Sequence, residues 1–155
     1  MIDAVRHLRK YRLSFEVWGV LIFLIVMIPN FIWFAVPAPK DILRADSVTE
    51  TIDTIACVCQ VLMITALCFF RNNEAGKLCI TPFIIIAAGC CFLYFVSWAV
   101  YYAGLVNGIV LLGLTILPCL VFLFFAIDRK NAIAIIPTLV FTVCHLIYGV
   151  TNFII

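Results

Sequence analysis

Charge is scarce in this chain. Asp, Glu, Lys and Arg make up 12% of its 155 residues, against about 25% in ordinary soluble domains, and 66% of the residues are apolar, against roughly 45–50%. A soluble fold of this length has no core large enough to hide that excess, whereas a bilayer accepts it on the outside. The few charges leave four stretches untouched: 17–39 with 23 residues, 54–70 with 17, 78–127 with 50 and 131–155 with 25. A spanning helix takes about 20 apolar residues. The longest stretch therefore holds two helices, joined by a turn at 102–107 that contains Gly104 and leads into Gly108. The pattern predicts an all-α membrane bundle of five spans, at roughly 15–36, 48–70, 79–101, 106–127 and 132–154, forming a single transmembrane domain. The first apolar stretch starts after a basic segment, but it is far longer than the about 7–15 residues of a secretory signal core, so it counts as a span.

Recognised catalytic signatures are missing as well. There is no H-E-x-x-H, no G-x-S-x-G and no P-loop. No lysine falls within a span, which argues against a retinal Schiff base. Cysteine is plentiful, at eight, yet no C-x-x-C occurs. The close pairs are Cys57 with Cys59 and Cys90 with Cys91, and such neighbours on a helix point to different faces. Together with Cys68, Cys119 and Cys144 within spans, and Cys79 at a span edge, they read as small apolar residues. His145 is the one histidine within a span; with Glu50 and Asp53 it makes too poor a donor set to predict a metal. No cofactor, no metal and no catalytic residue is assigned. The net charge of +2 comes without a clustered basic face, so nucleic acid is excluded as a partner.

The cations that are present follow topology. Arg6, Arg9, Lys10 and Arg12 precede the first span, Arg71 and Lys77 lie between spans two and three, and Arg129 and Lys130 lie between four and five. Lys40 and Arg44 alone occupy the other side. By the positive-inside rule the N-terminus is cytoplasmic, and five spans place the C-terminus outside. The basic lead at 6–12 reads as this topology signal, with contact to anionic headgroups as the lesser alternative. The loops are too short for a soluble domain.

Polar residues inside spans are costly, so their positions are informative. In span two, Asp46, Glu50, Asp53, Cys57 and Gln60 recur at steps of three and four, which shares one helix face. Span five repeats the pattern with Thr138, Thr142, His145, Gly149 and Asn152, and span three with Cys90, Tyr94, Ser97, Tyr101 and Gly104. Span one offers Asn30, with Met27 and Phe34 along its stripe. At a rise of about 1.5 Å per residue, Asp53, Asn30, Ser97 and Asn152 lie roughly 5–10 Å below the outer end, and Gln60, Tyr94 and His145 roughly 13–20 Å below it. Matching depths predict a shared polar interior in the outer half, either a hydrogen-bonded network or an outward-opening cavity. The candidate ligand-binding set is Asn30, Trp33, Asp53, Gln60, Tyr94, Ser97, Tyr101, His145 and Asn152. Trp18, Trp33, Trp98, Tyr101 and Tyr102 also suit the interfacial aromatic belts.

Two local expectations follow. Ser47, with Glu50 three residues on, matches the capping box, which gives Glu50 a structural role and leaves Asp53 about two turns in, past the capping positions. Pro82 and Pro137 are placed in the first turns of spans three and five, where a missing N–H is tolerated, whereas Pro29 and Pro118 lie deeper and interrupt their helices. Apolar-Pro-x-apolar words recur around Pro29, Pro118 and Pro137, at unequal depths that do not support an inverted repeat.

The stretch PNFIWFAVPAPKDILRADS (29–47) resembles segments of small bacterial multi-spanning membrane proteins. That resemblance implies a multi-pass protein of a bacterial inner membrane and carries no activity with it. Size and span number are similar to those of the translocator-protein family, but that family's tryptophan- and proline-rich first-loop pattern is missing, so neither its fold nor its ligands are transferred.

Three functional readings remain, in this order. The first is binding or transport of a small molecule in an outward-facing polar pocket, with Asp53 supplying charge, His145 and Gln60 hydrogen bonds, and the aromatics a cover. The second is an intramembrane enzyme pairing His145 with Asp53 or Glu50. The third is a structural or assembly subunit whose stripes hold helices together. Membrane lipids, a small-molecule ligand and a second copy of the chain are the partners these readings admit. A pocket lined by Asp53, Asn30 and His145 favours the first, carboxylate and imidazole within hydrogen-bond reach the second, and a packed interior the third.

Overall fold

The computed structural model describes residues 10–154. Five helices, each long and apolar enough to cross a membrane, make up most of it: α1 Val17–Ala35, α2 Glu50–Phe69, α3 Pro82–Tyr102, α4 Gly108–Asp128 and α5 Ala132–Phe153. The chain is a multi-pass membrane protein, and these limits lie within three residues of those read from the sequence. Large apolar side chains such as Leu24, Ile28, Phe31, Ile85, Phe92 and Val143 are exposed on the outside, where a soluble protein would carry charge. Thr81, Asn107 and Asn131 start α3, α4 and α5 by accepting hydrogen bonds from the backbone N–H three residues on, with Pro82 at the first helical position of α3.

The helices form a ring in the order α1, α2, α5, α4, α3. Packing is closest between α3 and α4, between α2 and α5 and between α4 and α5, and loosest around α1. At its Val17 end α1 nevertheless presses against α2: a Cβ on Gly19 would collide with the carbonyl oxygen of Leu67. At its other end α1 is interrupted by Pro29, as the sequence reading expected. Pro137 departs from expectation. It is the sixth residue of α5, beyond the first turn, and its ring denies the Ile133 carbonyl its helical partner.

One end of the bundle is fastened by a short antiparallel sheet, β1 Tyr11–Leu13 with β2 Phe70–Asn72, in the register Tyr11 to Asn72, Arg12 to Arg71 and Leu13 to Phe70. The basic lead thus contributes a strand, which helical periodicity gave no reason to expect. Arg6 and Arg9 lie outside the described residues. Asn72 and Asn131 tie the sheet to the turn between α4 and α5: Asn72 Nδ2 donates to the Lys130 carbonyl at 2.7 Å, and Asn131 Nδ2 to the carbonyls of Ala66 and Phe70, each at 2.9 Å. Glu16 is buried beside them, 3.5 Å from Arg71 and 3.7 Å from the equally buried Arg129. Two of the cations that read as topology markers therefore also neutralise a carboxylate at this sheet end.

Candidate functional site

The opposite half of the bundle holds a partly open cavity of about 510 Å³. Every helix contributes, mostly from the half remote from the sheet: Val26, Met27, Asn30, Trp33 and Phe34 from α1; Asp53, Ala56, Cys57 and Gln60 from α2; Tyr94 and Trp98 from α3; Leu111, Leu114, Thr115, Pro118 and Phe122 from α4; and Phe141, His145, Tyr148 and Phe153 from α5. Steps of three and four along each helix turn these residues to one side, which is why stripes scattered through the sequence meet in one place. Pro118 also leaves the carbonyl of Leu114, another wall residue, without its helical N–H donor.

Some wall groups are satisfied and others are not. Asn30 Nδ2 donates to the Tyr94 hydroxyl at 2.8 Å, joining α1 to α3, and to the Val26 carbonyl at 3.3 Å. Thr115 returns its hydroxyl to the Leu111 carbonyl. Gln60 and His145, by contrast, make no side-chain hydrogen bond among the described residues. The His145 ring lies stacked between Phe141, at 5.0 Å, and Tyr148, at 6.0 Å, so its faces are covered while its nitrogens have no partner among the described residues. The Trp98 indole is buried against the Tyr94 ring, edge to face at 6.4 Å. Polar groups inside a folded protein are normally paired, and leaving one unpaired costs about 1–3 kcal/mol.

Asp53 sits where the cavity meets the 36–49 segment. α2 begins at Glu50, so Asp53 belongs to its first turn, and the expected capping box does not form. Glu50 is exposed; it is Asp53 that collects the hydroxyl donors, Ser47 Oγ at 2.5 Å and Thr49 Oγ1 at 2.9 Å. Asn152 of α5 binds this turn from the other side, donating to Thr49 Oγ1 at 2.8 Å and accepting from the Val48 N–H at 2.7 Å. The carboxylate therefore reaches α5 through Thr49. No hydrogen bond joins Asp53 to His145.

The 36–49 segment covers this end of the bundle and is held by Asp41. Its carboxylate accepts from Trp33 Nε1 at 2.9 Å, Tyr101 Oη at 3.0 Å and Arg44 Nε at 2.8 Å. The Arg44 guanidinium lies over the Trp33 ring at 4.8 Å and also donates to the Trp33 carbonyl at 2.6 Å. Tyr102 fixes the start of the segment by donating to the Val36 carbonyl at 2.7 Å. Burial alone would raise the Asp41 pKa. The bonds from Trp33, Arg44, Tyr101 and the Ala38 backbone outweigh it, and the carboxyl is held below its ordinary value of 3.8. From this segment Leu43 reaches down to line the cavity.

Of the nine candidate residues, Asn30, Trp33, Asp53, Gln60, Tyr94 and His145 line the cavity together. Three do not. Ser97 turns to α4, where a Cβ on Gly113 would collide with its hydroxyl, and donates to the Leu93 carbonyl of its own helix. Tyr101 is fully buried with its hydroxyl on Asp41. Asn152 anchors the 36–49 segment to α5. Sequence reasoning passed over Asp41 because it lies in a loop, outside every span. Arg44 three residues on was the available signal, since oppositely charged residues at that spacing readily pair.

No known family, curated protein or solved structure matches this chain. The reading of the site therefore rests on its geometry.

Proposed function

We propose that this protein binds a small organic molecule in the cavity between its five helices, at the face of a cell membrane that the positive-inside rule makes the outer one. The observation that carries the reading is the pairing state of Gln60 and His145. Both lie in the wall of a space of about 510 Å³, and neither has a hydrogen-bond partner among the described residues. The volume falls in the range of about 300–1,000 Å³ common to ligand sites, and a few unpaired polar groups set among apolar and aromatic side chains are the usual composition of such a site. A partly buried amide and imidazole free of the protein are open to a ligand's hydrogen-bonding groups. The enzymatic reading draws no comparable support, because His145 and Asp53 share a wall without sharing a hydrogen bond.

Native mass spectrometry of the protein extracted from its membrane in mild detergent tests this. The expected result is a retained small-molecule adduct that disappears in Ala56→Phe, where a buried wall residue is replaced by one that fills part of the space. Wild-type protein that carries no adduct, and gains none when incubated with a membrane extract, contradicts the proposal.

A further inference from the structure

We infer that the ligand of this cavity is an organic cation, an aromatic or alkyl body bearing one positive nitrogen or phosphorus centre; the inference rests on the binding reading above and narrows it. Asp53 is the one wall residue with a formal charge. Its two oxygens accept neutral hydroxyls from Ser47 and Thr49, and no lysine, arginine or histidine pairs with it among the described residues. Each carboxylate oxygen has a further lone pair for a second donor or a cation. A carboxylate facing a largely apolar, partly dehydrated space is costly until a counter-charge arrives.

The rest of the wall fits the same class. Trp33, Tyr94, Trp98, Phe122, Phe141 and Tyr148 present aromatic rings to the space. Ring faces attract cations, by about 0.5–1 kcal/mol at exposed sites and about 2 or more where water is excluded. The chain uses this chemistry on itself at the mouth, where Arg44 lies over Trp33 with its charge against Asp41. The 40–53 stretch that leads into α2 carries Asp41, Asp46, Glu50 and Asp53 against Lys40 and Arg44, an acidic excess that favours cations over anions. No wall residue carries a positive charge to receive an anion.

Aryl probes of differing charge separate the outcomes. Binding of tetraphenylphosphonium, tetraphenylborate and neutral triphenylphosphine oxide is measured by equilibrium dialysis on protein in lipid nanodiscs, with empty nanodiscs subtracted. The expected result is saturable binding of the phosphonium, at least about tenfold tighter than the neutral probe, with no saturable binding of the borate. Asp53→Glu keeps that preference, Asp53→Asn removes it, and Ala56→Phe weakens both the cation and the neutral probe. The wild-type comparison stands even if a variant fails to fold. Equal binding of cation and neutral probe overturns the charge inference and leaves the cavity reading intact. Phosphonium binding that survives Ala56→Phe places the cation elsewhere and overturns the inference. If none of the three probes binds saturably, the inference and the binding reading fall together.

Discussion

Replacing Asp41 by asparagine removes the charge that holds the 36–49 segment while keeping the side chain's size. The carboxylate is 9% exposed and takes three side-chain donors, the Trp33 indole, the Tyr101 hydroxyl and the Arg44 guanidinium, at 2.8–3.0 Å. Each hydrogen bond to a charged acceptor contributes about 1.5–3 kcal/mol. An asparagine oxygen still accepts from one or two of these donors, but its NH₂ must then face another donor. The net cost is expected to be about 2–4 kcal/mol, with little of it from Arg44, which is half exposed. The pH dependence has a definite sign. The folded-state carboxyl titrates below its unfolded value of 3.8, so its contribution is fully present above that value and is lost as pH falls through the lower folded one. The clamp is therefore insensitive to pH between about 5 and 8 and loosens only below about 4. Thermal unfolding in detergent, followed by tryptophan fluorescence, together with hydrogen exchange over 36–49, reads both effects. The assignment fails if Asp41→Asn leaves the unfolding temperature and the exchange of the segment unchanged, or if the wild-type segment loosens near neutral pH.

Other consequences follow from the rest of the fold. Glu16→Gln leaves the buried Arg129 without its counter-charge and is expected to cost about 3–5 kcal/mol in denaturant titrations; a neutral result removes the ion pair from the account of the sheet end. Gly19→Ala drives a methyl group into the Leu67 carbonyl and is expected to destabilise by about 1–3 kcal/mol, because backbone on both sides resists the shift; unaltered unfolding would show that α1 and α2 do not meet there. All eight cysteines are free thiols, and replacing Cys90 and Cys91 together by alanine is expected to cost a little packing and no ligand binding. Metal lost stoichiometrically on that replacement would contradict their role as apolar filler. Reporter fusions at Ile155 and in the 71–78 loop test orientation, with a cytoplasmic signal expected from the loop and none from Ile155.

The sequence by itself determined the membrane class, the five spans and the half of the bundle in which polar groups meet. Those properties follow from composition and from a 3.6-residue period that fixes which residues share a face, whatever the neighbouring helices do. Gln60 and His145 were legible for that reason: each lies well inside a span, where the period runs undisturbed. Ser97 was not. Counting from Tyr94, steps of three and four are both helical, and only the packed bundle decided that Trp98, at the step of four, faces the cavity while Ser97 faces α4. Asp53 was placed on the right face with the wrong surroundings, because α2 starts at Glu50 and the Ser47 and Thr49 hydroxyls turn to the aspartate. The sheet between Tyr11–Leu13 and Phe70–Asn72 and the bond from Tyr101 to Asp41 belong wholly to the tertiary structure. The paired strands, and Tyr101 with Asp41, lie about 60 residues apart in the chain and share no period. Strand pairing and hydrogen bonding between loops depend on which chain ends the bundle brings together, and that is known only once the helices have packed.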